Sequence, residues 1–424
     1  MHSGDGRTVA ASLMAPFTAL RPAPERARDV AARPYDVVSL EEARDQAAGR
    51  PFSFLHVSRA EIDLAPGTDP HASEVYAQAA AALSRMCRDG VLIEDESPSF
   101  YVVRITTANH EQTGVAAAGS ISAYRANRIR RHELTRPDKE RDRVRQIEAV
   151  GAQTGPVLAA HPVDPALDAI LDRATAGEPV ADAETPDGAR HRVWRIDDPS
   201  TCNVIEGRFD AMAAIYIADG HHRSAAAARV AEARAAAASD DVQTDDDRFL
   251  VVSFPVDQLR VLDYNRIVRD LNGLTADAFL ARLERVCDIT PASEPVRPPR
   301  PQRFGLFVDG RWYALALRTP PSADATPVDR LDVSLLQQTI LAPILGIGDP
   351  RTDPRIDFLG GGRGLGALET AVRDGGFAAA FSLFPTRFAD IVAVADAGQV
   401  MPPKSTWFEP KLADGLLSLP LPPR

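Results

Sequence analysis

The run AAIYIADGHHRSAAAARVAEARAAAA, residues 213–238, constrains this chain more than any other stretch. Ile215 to Ala218 form an apolar strand, Gly220 opens a turn, and an alanine-rich helix begins at once. A strand that passes directly into a helix needs a sheet to join and a layer to cover it, which predicts a mixed α/β (α+β) fold. The turn also collects Asp219, His221, His222, Arg223 and Ser224 where a helix N-terminus aims its free N–H groups, a geometry suited to phosphate.

With 424 residues the chain is long enough for two or three domains. Its 59 acidic and 48 basic residues give a net charge of −11, which argues against a nucleic-acid coat or an anionic membrane surface as partner. Of those cations 45 are Arg and only three are Lys: Lys139, Lys404 and Lys411. Where nearly every cation is written as Arg, each Lys calls for a reason. Cys87, Cys202 and Cys287 have no metal or disulfide spacing, so a reducing, cytoplasmic setting is expected. No apolar run reaches the roughly 18 residues of a membrane span. Residues 1–14 read as a disordered leader, with Met1 and Met14 both open as the native start.

The order of elements predicts a large α/β domain over 15–290, a proline-rich linker over 291–303 and a smaller α+β domain over 304–424. SLEEARDQAAG carries a Ser N-cap, FSFLHVS is a short strand candidate, and HASEVYAQAAAALSRMCRDG is an amphipathic helix ending at Gly90. FGLFVDGRWYALAL is a hairpin around Asp309-Gly310, and the acidic tract DDVQTDDD is a solvated loop.

Three runs can carry chemistry. In DGHHR, Asp219 can act as a base or help hold Mg²⁺, Arg223 offers a planar donor fork, and the histidines can donate or accept protons. The plainer reading makes Asp219 a helix cap and the histidines packing groups. In HELTRPDKERDR, a helix after Pro137 places Lys139 and Arg143 four residues apart on one face that can contact an anion; a solvated, salt-bridged helix is the alternative. In MPPKSTWFEPK, Lys404, Ser405 and Thr406 can reach an oxyanion while Trp407 and Phe408 anchor the strap. The glycines of GGGRG, 360–364, can line a phosphate but lack P-loop order.

RPAPERARDVAARPYDVVS, HELTRPDKERDR, YIADGHHR and MPPKSTWFEPK, in this order, resemble domain-of-unknown-function family 1015, often labelled SpoOJ/ParA/ParB/RepB-like. Locally, DGHHR followed by a helix is similar to the nucleotide-binding box of the ParB/sulfiredoxin superfamily, especially the ADP-dependent free serine kinases of archaea. The resemblance implies a ParB/sulfiredoxin-like N-terminal domain and Asp219 as a catalytic or metal-positioning carboxylate. It further implies a phosphate cradle of Gly220, His221, His222 and Arg223, with Ser224 beside it. The kinases' N-terminal glutamate has no clean counterpart: Asp36, Glu61 and Glu133, the last next to His132, are the candidates.

The expected function is cytosolic phosphoryl transfer to a small hydroxylated metabolite, serine or a close relative, with ATP or ADP and Mg²⁺. Catalytic roles fall to Asp219, His221, His222 and Lys404, and anion binding to Gly220, Arg223, Ser224, Lys139 and Arg143. A phosphatase acting on phosphoserine or a related phosphometabolite stays open, as does a non-catalytic metabolite binder. A ParB-like nucleotide switch would need a basic helix-turn-helix, which the acidic chain does not display.

Overall fold

The computed structural model describes residues 12–237 and 248–422, and within it the chain divides into two compact units. Residues 1–11 of the expected leader and the tract at 240–247 lie outside the described residues. The first unit comprises residues up to Leu259 together with Pro410–Arg424; the second is Arg260–Glu409. The division therefore differs from the expected boundary at 291–303, and the chain's last segment belongs with its first half.

The first unit is built on a nine-stranded mixed sheet. Its strands run in the order Ile129–Arg130, Ile215–Asp219, Val157–His161, Arg248–Pro255, His110–Ser120, Phe100–Thr107, Arg190–Ile196 and Ala181–Glu184, and Met14–Ala15 pairs with His110–Ser120. Two of these pairings are parallel, Ile215–Asp219 with Ile129–Arg130 and Arg248–Pro255 with Val157–His161. Strands buried along their whole length need continuous apolar sequence, and VLAAH and IYIA supply it. Leu167, Ile205, Phe209 and Ala227 from three helices pack into the same core as Ile215, Ile217 and Val251. Leu13 and Met14 are fully buried there, so the end of the expected leader is a strand of the sheet.

The strand-turn-helix at 215–237 forms as expected, with Gly220 at φ 94° between Ile215–Asp219 and the helix His221–Ala237. Ser39 caps Leu40–Ala47 in a full capping box, and Gly90 follows the helix Ser73–Arg88. FSFLHVS is not a strand: Leu55–Ser58 is a single helical turn whose Leu55 and Val57, with Phe54, enter a second core cluster. Apolar positions at 54, 55 and 57 suit a buried turn as well as they suit a strand.

The C-terminal segment is threaded into this unit by backbone pairing. Asp414 bridges Ala32, Ser418 bridges Leu20, and Leu419–Pro420 pairs with Ala152–Gln153. Gly415 sits at φ 89° against Phe54, where an added Cβ would lie 2.6 Å from the ring.

The second unit is a six-stranded antiparallel sheet in the order Cys287–Ala292, Arg311–Leu317, Arg303–Val308, Ala379–Leu383, Tyr264–Val268 and Ile356–Gly360. The hairpin around Asp309-Gly310 is present, both residues having positive φ (49° and 72°) as a type I′ turn requires. Residues 291–303 connect two strands of this sheet and are pinned to it, Ser382 Oγ donating to the Val296 carbonyl at 2.6 Å and Arg297 pairing with Asp263 at 3.2 Å. Proline-rich backbone is extended and poor in donors, which fits a surface connection held by side chains as well as it fits a free linker.

Gly415→Ala is predicted to destabilise the protein by about 1–3 kcal/mol, since both the backbone conformation and the Phe54 contact oppose a methyl group. Urea denaturation followed by circular dichroism measures it, and an unchanged midpoint contradicts the docking of the C-terminal segment.

Candidate functional site

The ladder between Ile215–Asp219 and Val157–His161 shifts register between Ile217 and Asp219. Such an irregularity re-aims the last side chain of a strand, here Asp219. Arg223, one helical turn on, donates from Nη2 to Asp219 Oδ2 at 2.7 Å and from Nη1 to the Pro156 carbonyl. A side chain at Gly220 is disfavoured by its φ of 94° and by tight contacts, since a Cβ would meet Arg223 Nε at 3.1 Å and Val157 Cα at 3.3 Å. Asp219 Oδ1 faces Lys411 Nζ at 3.3 Å. Burial favours the neutral form of Asp219, but the charges of Lys411 and Arg223 overcome it and hold the carboxyl well below the usual carboxylate range.

Asp36 lies 3.6 Å from Arg223 in the turn after Pro34. Its neighbour Tyr35 lies under the Arg143 guanidinium, 4.1 Å from the ring centre, and burial pushes its phenol up to about 12, so it stays a hydroxyl. Arg143 itself comes from the helix Pro137–Val150, which packs on His221–Ala237 through Ile147, Ala226 and Val230. Its Nε and Nη2 donate to Asp142 Oδ2 at 3.0 and 2.7 Å, and Asp142 Oδ1 accepts from the Tyr76 hydroxyl at 2.7 Å.

Tyr35, Arg143, Thr154, Gly155, Arg223 and Asp414 line a small open pocket. Asp414 is 1% exposed; its Oδ2 accepts from the Tyr35 N–H at 3.2 Å, and its Oδ1 has no hydrogen-bond partner in the protein. Burial pushes this carboxyl up to about 7 against the pull of Arg223.

The histidines of DGHHR do other work. His221 is buried, stacks edge-on against His132 at 4.5 Å and accepts from the His132 N–H at 3.5 Å. His222 accepts from the Arg136 N–H at 3.0 Å. Burial lowers His132 to about 4 and carries His221 well below its ordinary value, so both rings are neutral near pH 7. His221 and His222 thus tie the 132–136 segment to the start of the helix, where acid-base roles had been expected. Ser224 is equally inward, its hydroxyl donating to the His221 carbonyl at 3.0 Å. Arg223 is held by Asp219 and the Pro156 carbonyl through one N–H of each terminal nitrogen, so it is not the free phosphate fork that was expected.

Other expected residues are elsewhere. Lys139 is exposed in the first helical turn, where Pro137 and Asp138 are exposed too, while Arg143 is turned inward, so the two do not share one anion-binding face. Glu61 is buried and pairs with Arg59 at 3.0 Å, and Glu133 is partly exposed. Lys404 belongs to the second unit, its ammonium 5.5 Å from the centre of the Tyr264 ring. Ser405 Oγ donates to the Pro402 carbonyl at 2.6 Å, and Thr406 is partly buried in the same strap. Gly360 and Gly361 of GGGRG are filled from within, since a Cβ there would lie 2.8 Å from Trp407 and 2.3 Å from Asp263. The sequence reading singled out Lys411 for its rarity without giving it a role, and it passed over Tyr35 and Asp414. The lone charge of Asp414 in the otherwise apolar run LADGLL is the one sequence signal it carries, and the run around it reads as core.

Among the described residues no group of three or more His, Cys, Asp or Glu side chains is arranged to hold a metal. Both Asp219 oxygens face cations, so the residues present do not form a Mg²⁺ site. No described helix is long and apolar enough to cross a membrane.

The raised Asp414 sets a pH signature. Between the unfolded carboxyl value near 4 and the folded value of about 7, the native state binds the extra proton, so stability falls as pH rises through that window. Asp414→Asn removes this loss. The variant is expected to melt several degrees above the parent at pH 7.5 and level with it near pH 4.5, read by thermal unfolding across pH; a constant difference contradicts the assignment.

No curated protein matches the chain. Among solved structures, a free serine kinase in complex with AMP is 14% identical at a TM-score of 0.36, covering 75% of this chain and 94% of its own. SbnI with a C-terminal truncation from Staphylococcus aureus is 12% identical at 0.37, covering 72% and 87%. A conserved hypothetical protein from Pyrococcus furiosus is 12% identical at 0.33, covering 74% and 97%. A family model described as a protein of unknown function, DUF1015, matches residues 14–334, a span that holds Asp36, Arg143 and Asp219–Arg223 and ends before Lys411 and Asp414. The chain belongs to the DUF1015 family.

Proposed function

We propose that the protein transfers a phosphoryl group from ADP or ATP to the hydroxyl of a small metabolite, serine or a close relative, at the Asp219–Lys411 corner of the first unit. The observation that carries this reading is the ionised carboxylate at the end of a strand, flanked by an ammonium and a guanidinium and followed at once by a helix N-terminus. Phosphoryl transfer asks a protein for position and charge neutralisation more than for a strong base. Asp219 is a weak base, so in this reading it accepts the substrate hydroxyl's hydrogen bond and receives its proton late, as the new P–O bond forms and the terminal P–O bond of the nucleotide breaks to release AMP from ADP or ADP from ATP. Lys411 neutralises charge on the transferring group, and the Gly220 turn presents backbone donors to phosphate. The nucleotide supplies the phosphate; no protein-bound metal enters the scheme. In this scheme Lys411 takes the part that the sequence reading gave to Lys404.

The test incubates full-length protein in Mg²⁺ buffer with serine plus ADP or ATP, and separately with phosphoserine alone, following phosphoserine and free phosphate. Phosphoserine formation is expected only with nucleotide, falling at least 100-fold in Asp219→Asn and about 100-fold in Lys411→Ala, with Lys139→Ala within twofold of the parent. Phosphate release from phosphoserine alone would mark a phosphatase, and no turnover in any arm by folded protein rejects phosphoryl transfer on serine.

A further inference from the structure

The two cations lining the pocket each pair with a carboxylate of the protein. Arg143 faces Asp142 through two hydrogen bonds, and Arg223 faces Asp219 at 2.7 Å and Asp36 at 3.6 Å. Gln146 donates to the Val57 carbonyl at 2.9 Å, and Tyr35 stays protonated under Arg143. The unmatched group is Asp414: 1% exposed, within 4 Å of no cationic side chain among the described residues, with Oδ1 unpartnered and lining the pocket. A buried carboxyl oxygen without a partner carries a desolvation cost that a hydrogen-bond donor removes. Gly155 lies beside it: a Cβ there would press on Arg223 Cδ at 3.1 Å and come within 4.0 Å of Asp414 Oδ1. The pocket therefore lacks a donor first and an anion second, the latter for Arg143 Nη1, which stands outside the pair with Asp142.

We propose that this pocket binds a small zwitterion, an α-amino acid, whose ammonium rests on Asp414 Oδ1 and whose carboxylate faces Arg143. The choice of an amino acid over other zwitterions rests on the phosphoryl-transfer reading above; the need for a cationic donor does not. Asp414 is then the residue that makes the site specific for an amine, and it acts through binding. Because burial raises its carboxyl, the incoming ammonium displaces a proton that the empty site holds, and binding near neutral pH releases protons.

Calorimetric titration of the full-length protein at pH 7, in Tris and in Hepes, tests this with L-serine, O-phospho-L-serine and the amino acids that raise the melting temperature in a screen of the standard twenty. The expected result is saturable binding of at least one α-amino acid, at least tenfold weaker binding of its des-amino counterpart (3-hydroxypropionate for serine), at least tenfold weaker binding to Asp414→Asn, and a heat that depends on the buffer in the parent only. No binding by folded parent, equal affinity for the des-amino compound, or unchanged binding by Asp414→Asn overturns the proposal. If the variant fails to fold, the buffer dependence in the parent decides alone, and its absence rejects the role of Asp414. Amino-acid binding without phosphoryl transfer would reject the proposed reaction and leave this inference standing. Transfer that Asp414→Asn performs equally well would do the reverse.

Discussion

The Asp219 carboxylate, gripped on one oxygen by Arg223 and faced on the other by Lys411, is the interaction on which the first unit's site depends. Each partner arrives from a different level of the structure. Arg223 is local, one turn into the helix that the strand launches, and its position disfavours a side chain at Gly220. Lys411 is remote in sequence and reaches Asp219 only because the C-terminal segment pairs with backbone at Leu20, Ala32 and Ala152–Gln153. A carboxylate in this position would cost several kcal/mol to bury alone, and two cations of opposite origin hold it charged.

That dependence explains the arrangement around it. Tyr35, the helix bearing Arg143, the Thr154-Gly155 stretch and Asp414 meet Arg223 at one pocket, and the Arg143 helix packs on the strand-turn-helix through Ile147, Ala226 and Val230. His221 and His222 hold the 132–136 segment in the same way, through neutral rings that accept backbone N–H groups. The chain's net charge of −11 is carried into the site, where Arg143, Arg223 and Lys411 are each paired with a carboxylate.

Local geometry was legible in the sequence, and long-range partnership was not. The strand, Gly220 and the helix follow from an apolar run, a glycine and an alanine-rich stretch, and the Asp309-Gly310 hairpin from its turn pair. Asp36 and Arg143 were visible as charged residues in motif-like runs. The functions expected of His221, His222 and Arg223 failed for one reason: a polar residue at a helix start can turn outward to a ligand or inward to backbone, and only the neighbours decide. For Lys404 and Lys411, seven residues apart, the strap itself crosses from one compact unit to the other, a change that proline-rich sequence does not announce. Asp414 was hidden by an apolar setting that reads as core.

The pairing of Asp219 with Lys411 is the central claim, and a double-mutant cycle measures it without assuming any substrate. Unfolding free energies of the parent, Asp219→Asn, Lys411→Met and the double variant yield the coupling between the two side chains. A coupling of at least about 1 kcal/mol is predicted at low ionic strength, shrinking as salt is added. Additivity within about 0.5 kcal/mol would contradict the account, because it would mean that the C-terminal segment does not deliver Lys411 to the strand end.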